Sequence, residues 1–138
     1  RGQDRGIPRQ ERPVLMVLVD TCGWIEWMTD SAMADAYAPH LDGENLLVPT
    51  LVQHELYKWL CRETDTNTAL AAIAATQQAT VVPLDTSLAL LAADIAREHK
   101  LAMADAIIYA TARQYQATLV TSEARFESLP QVLFYSKA

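Results

Sequence analysis

The chain has 138 residues, 51% of them hydrophobic and 20% charged, enough for one domain with a full apolar core. No apolar run approaches the roughly 18 residues of a membrane helix, which argues against a membrane-spanning protein. The net charge is −6, and residues 1–13 contribute four Arg against two acids, so the rest carries −8, the difference between −6 and +2. Binding nucleic acid by bulk charge is thereby excluded, and any such activity needs a local basic rim or metal ions.

Residues 1–13, RGQDRGIPRQERP, have no apolar periodicity and no apolar stretch of the kind that marks a signal peptide. They read as a disordered tail or an expression remnant, with residues 14–138 as a single domain. The first strand is expected from Val14 to Asp20. A short helix follows near Cys22–Trp27, and a second over Ala32–Leu41. Asn45–Pro49 reads as a short strand stopped by proline. Thr50 then opens a helix to about Arg62, with Gln53 three residues on suggesting a capping box. Val52, Leu56, Trp59 and Leu60 form its apolar stripe.

The segment ETDTN caps the next helix, TALAAIAATQQA. TVVPL is a strand, and Asp85 caps a helix from Thr86 to about His99. Ala104–Gln116 is helical, ATLVT is a strand, and VLFY near the end is the last strand. Strands apolar throughout, alternating with helices, predict a mostly parallel sheet of four or five strands covered on both faces. The fold class is α/β, a three-layer α/β/α sandwich.

In such sheets ligands gather at the carboxyl ends of the strands. Asp20 ends the first strand, and Glu123 follows the strand TLVT by two residues. Asp105 falls in the first turn of its helix, and Glu55 one turn into the helix after the second strand. Converging carboxylates repel one another, and a hard divalent cation reverses that penalty. An oxygen-only site of this kind suits Mg²⁺ or Mn²⁺ and phosphodiester hydrolysis. Each acid taken alone also has an ordinary explanation: Asp20 as a helix cap, Asp105 as a first-turn acid, Glu55 as a partner of Lys58, and Glu123 as the start of a turn before Phe126. Cys22 and Cys61 have no metal-ligand spacing and read as reduced thiols in a cytoplasmic protein. His40, His54 and His99 show no zinc pattern.

The segments VLVDTCGWIEW, LLVPTLVQHELYKWL and LAMADAIIYATARQYQATLVTSEARFESLPQV, in this order and spacing, resemble the PIN-domain ribonucleases. Within these, the resemblance is to the VapC-type toxins of bacterial and archaeal toxin–antitoxin pairs, and it covers nearly all of Val14 to Phe134. In that family an aspartate ending the first strand is followed by Thr or Ser and often Trp, matched here by Asp20, Thr21 and Trp24. The family's glutamate matches Glu55 and its next aspartate Asp105. The fourth position is commonly Asp or Asn two residues after the Thr of LVT. Thr121 and Phe126 fit that pattern, but the acid is Glu123.

The resemblance implies a Mg²⁺- or Mn²⁺-dependent endoribonuclease that restrains translation. Asp20, Glu55, Asp105 and Glu123 would be the catalytic acids, with Asp20, Asp105 and Glu123 on the metal. Thr21 and Thr121 would orient a carboxylate or hold metal-bound water. Lys58, Arg62, Arg113 and Arg125 are the candidates for an RNA-binding rim. A VapB-type antitoxin would mask the acidic pocket. Homodimerisation through Ala- and Leu-rich helices is expected, although those faces equally suit intramolecular packing. Glu123 in place of the usual residue keeps a second reading open, a catalytically silent PIN fold that binds a protein partner. A phosphatase or receiver domain is disfavoured, because Thr21 and Cys22 follow Asp20 where a second acid would be needed.

Overall fold

A computed structural model describes residues 15–137. Its chain order is β1 (Val17–Val19), α1 (Thr21–Met28), α2 (Ala34–Leu41), β2 (Leu46–Pro49), α3 (Thr50–Glu63), α4 (Thr66–Thr76), β3 (Thr80–Val82), α5 (Thr86–His99), α6 (Met103–Gln114), β4 (Thr118–Thr121), a 3₁₀ turn (Ala124–Phe126) and β5 (Val132–Phe134). The tail expected over residues 1–13, and Val14, lie outside the described residues.

All five strands are parallel, in the order β3-β2-β1-β4-β5. Leu18 pairs in register with Leu47 on one side and with Leu119 on the other. Successive strand residues face opposite sides of a sheet. Leu18 and Val19 are both fully buried, so both faces of the central strand are covered, as the unbroken apolar run predicts. The helices pack as consecutive pairs, α1 with α2, α3 with α4, and α5 with α6.

The chain builds outward from β1 through β2 to β3, then crosses back to β4 on the other side of β1. The strand order therefore reverses between β1 and β4, and their carboxyl ends flank the crevice where α/β proteins bind ligands. Asp20 and the Thr121–Glu123 segment stand at those two ends.

Several boundaries differ from the expected ones. The first strand is three residues long, and Asp20, which still donates its backbone N–H to Val120 O on β4 at 3.0 Å, becomes the N-cap of α1. α2 begins at Ala34 rather than Ala32, and α6 spans Met103–Gln114 rather than 104–116. The capping box on Thr50 does not form. Pro49 takes the cap position without a side-chain hydrogen bond. Gln53 instead reaches across to α4, donating to Thr76 Oγ1 at 3.0 Å and Gln77 Oε1 at 2.7 Å. Asp65 and Asp85 cap α4 and α5 as expected, accepting from Thr68 N at 2.7 Å and Leu88 N at 2.9 Å.

Gly23 explains how α1 lies so close to the sheet and α2. A Cβ there would come within 2.5 Å of both Tyr37 Cε1 and Val19 Cγ1. The Tyr37 ring is completely buried, and its hydroxyl is satisfied by Ser122 Oγ at 2.5 Å.

Candidate active site

A pocket of about 250 Å³ opens at the strand-order reversal, lined by Asp20, Glu55, Asp105 and Glu123 with Arg125 and Trp59 among its walls. Four elements deliver the acids: the end of β1, the second turn of α3, the first turn of α6, and the segment after β4. The order of the chain alone does not bring them together; the crossing from β3 to β4 does.

Asp20 is 5% exposed. Its Oδ1 accepts from the Thr21 backbone N–H at 2.8 Å, and its Oδ2 accepts from Thr121 Oγ1 at 2.8 Å. Capping and pocket lining are thus combined in one side chain. Burial pushes its carboxyl up to about 6, against the lowering effect of these two hydrogen bonds, and the charges of Glu55 and Asp105 push the same way. Thr21 donates to Glu55 Oε1 at 2.6 Å, so each threonine hydroxyl fixes one carboxylate. Glu55 therefore faces Thr21, and among the described residues no ion pair joins it to Lys58.

Asp105 and Glu123 are held from the other side. Arg125 donates through Nε to Asp105 Oδ2 and through Nη2 to Asp105 Oδ1 at 3.3 Å. Its Nη1 lies 3.3 Å from Glu123 Oε1. The Glu123 backbone N–H donates to Thr121 Oγ1 at 3.0 Å, tying the fourth acid to the hydroxyl that serves Asp20.

The basic residues separate. Arg125 is at the pocket, while Lys58 is exposed on α3, the helix carrying Glu55. Arg62, farther along α3, pairs with its neighbour Glu63 at 2.8 Å. Arg113 is not brought to the acids, because α6 runs away from the pocket. Eight residues beyond Asp105 it stands about 12 Å further along the helix axis. There its Nη1 donates to the Tyr109 hydroxyl at 3.0 Å, with the guanidinium 5.7 Å from the ring centre.

The reading of the sequence missed Cys22, Tyr37 and Ser122, which stand at or behind Asp20. Cys22 lines the pocket with Sγ 3.8 Å from Asp20 Oδ2, from the Tyr37 hydroxyl and from Thr121 Oγ1. Burial and the Asp20 charge push its thiol up to about 11, which makes it a poor nucleophile and a poor ligand. Only adjacency to Asp20 and Thr121 marked Cys22 and Ser122, and nothing local marked Tyr37.

The donors fit a hard cation in their chemistry. They are all carboxylate oxygens, and Asp20 carries the raised pKa of a charge short of compensation. In their placement, no three His, Cys, Asp or Glu side chains among the described residues converge as a formed metal cage. The Arg125 guanidinium holds two of the acids instead.

A PIN domain family model matches residues 17–132. No curated protein matches the chain. Among solved structures it is similar to a toxin–antitoxin complex from Klebsiella pneumoniae, with a TM-score of 0.75 and 20% identity over 87% of this chain and 98% of that one. VapBC2 from Rickettsia felis, bound to a DNA fragment from its promoter, gives 0.70 and 13% identity over 88% and 98%. The Mycobacterium tuberculosis toxin VapC20, which cleaves the sarcin–ricin loop, gives 0.63 and 18% identity over 74% and 85%. Matched from its first strand to the start of its last, the chain belongs to the PIN domain family.

Proposed function

We propose that this protein is a Mg²⁺- or Mn²⁺-dependent endoribonuclease and the toxin of a VapBC-type toxin–antitoxin pair. The observation that carries this reading is the meeting of Asp20, Glu55, Asp105 and Glu123 in one pocket at the strand-order reversal of a PIN fold. Asp20, Asp105 and Glu123 would hold the cation, with Glu55 completing the ring of acids. A bound divalent cation supplies a Lewis acid that makes a water more acidic and offsets charge developing on the scissile phosphodiester. Thr121 and Thr21 hold the Asp20 and Glu55 carboxylates in position before substrate arrives, which limits reorganisation during the reaction. Lys58, Arg62 and Arg125 are the rim that would draw an RNA backbone toward an otherwise acidic protein. Arg113, bound to Tyr109, is not in that rim.

The structural likeness to toxin–antitoxin complexes supports a VapB-type antitoxin as the partner that masks this pocket. A homodimer is supported by an apolar groove of about 350 Å³ between α5 and α6, walled by Leu84, Ala92, Met103 and Ile107. Among the described residues no helix is long and apolar enough to cross a membrane, which is compatible with action on RNA in the cytoplasm. The test is cleavage of structured RNA by the purified protein with Mg²⁺, with EDTA, and in the Asp20→Asn and Asp105→Asn variants. Each substitution is expected to cost about a hundredfold or more. Cleavage that survives in both variants would falsify the site. Loss of RNA cleavage by the wild type, with tight binding to a cognate protein retained, would favour a catalytically silent binding module.

A further inference from the structure

Arg125 stands on the 3₁₀ turn after β4, its side chain 53% exposed, and spans two of the four acids. It touches both carboxylate oxygens of Asp105 and one of Glu123. Among the described residues these two acids are the only ones that form ion pairs with it, and Asp20 acts on it through longer-range charge. The other two acids take their hydrogen bonds from uncharged groups, Asp20 from the Thr121 hydroxyl and the Thr21 backbone N–H, and Glu55 from the Thr21 hydroxyl. One guanidinium therefore faces a pocket of four carboxyl groups and can neutralise at most one charge.

We propose that Arg125 is an internal counter-ion that trades places with the divalent cation. In the metal-free protein the guanidinium bridges Asp105 and Glu123, and it leaves those oxygens when the cation enters. This rests on the metal-dependent reading above. The physical case has three parts. A cation bound through Asp105 and Glu123 needs the same oxygens that now accept from Arg125. A positive charge so close to a divalent cation lowers its affinity by direct repulsion. The side chain has solvent on one side and a short turn beneath it, so swinging outward breaks nothing in the core. Released, the guanidinium remains at the pocket mouth, where a phosphate group would replace the lost carboxylates as its partner.

The test is Mn²⁺ titration calorimetry on the full chain, stripped with EDTA and dialysed, as wild type, Arg125→Gln and Arg125→Lys. Arg97→Gln is the charge-matched control, since Arg97 is 82% exposed on α5 and among the described residues pairs only with Asp94. Arg125→Gln should bind Mn²⁺ about tenfold more tightly than wild type, Arg125→Lys should fall between, and Arg97→Gln should match wild type. The Arg125 Nε–H resonance should also move toward that of a solvated guanidinium as Mg²⁺ is added. Equal or weaker Mn²⁺ binding by Arg125→Gln, or an unmoved resonance at saturating Mg²⁺, overturns the exchange and leaves the metal-dependent reading standing. Absence of binding in every variant overturns both.

Discussion

Replacing Asp20 by Asn should make the metal-free protein more stable at neutral pH, by an amount that depends on pH in a defined way. Burial holds the folded-state carboxyl at about 6, above its ordinary 3.8. The folded protein thus binds a proton that the unfolded chain has already lost, and stability falls as pH rises through that window. At about 1.36 kcal/mol per pH unit the full penalty is about 3 kcal/mol, reached above the folded-state pKa. The same linkage leaves about 1 kcal/mol of it at about pH 4.5. An asparagine keeps the shape, accepts from Thr21 N, can donate to Thr121 Oγ1, and does not titrate. The stability difference between Asp20→Asn and wild type should therefore grow by about 2 kcal/mol from about pH 4.5 to about pH 7.5. Urea denaturation followed by Trp fluorescence in EDTA measures it, and any constant cost of the amide cancels in the pH dependence. A difference that stays flat across that range would refute the claim that Asp20 is a buried charge short of compensation. The direction is that of a residue kept for function at the expense of stability.

Thr121→Val removes the donor to Asp20 and the acceptor of the Glu123 N–H together. It should cost about 2–3 kcal/mol in denaturation experiments and raise the Asp20 titration midpoint above its wild-type position in carboxyl NMR. Gly23→Ala should destabilise by about 1–3 kcal/mol in the same denaturation assay, because its methyl would press into the Tyr37 ring and Val19. A Gly23→Ala melting curve that superposes on wild type would show that α1 can withdraw from Tyr37 freely.

The elements were legible where a single local rule governs them. The Val- and Leu-rich runs are buried strands because a parallel strand covered on both faces has no polar positions to fill. Asp65 and Asp85 cap their helices because a short carboxylate just before the first turn meets unpaired N–H groups wherever it occurs. The Thr50 cap failed although its pattern was right: Pro49 took the cap position, and Gln53 found partners on α4, 23 and 24 residues away. No local spacing encodes that competition.

The site divides in the same way. Asp20, Glu55, Asp105 and Glu123 could be selected from the sequence because strand ends and first helical turns are where carboxylates reach a ligand, and because their order resembled a known family. Which neighbour each acid takes was decided by the tertiary structure. Glu55 turned to Thr21 rather than Lys58, Arg125 came to the acids, and Arg113 went to Tyr109. Tyr37 and Ser122, 85 residues apart, met behind Asp20. Local chemistry sets backbone elements and caps because its partners lie within a turn of helix or a strand's width. The burial of Asp20 and its contact with Thr121 arise only when β4 crosses beside β1, and Arg125 meets Asp105, 20 residues earlier, only when α6 packs against β4. The raised pKa of Asp20 and the arginine bridge to Asp105 therefore exist only in the folded chain.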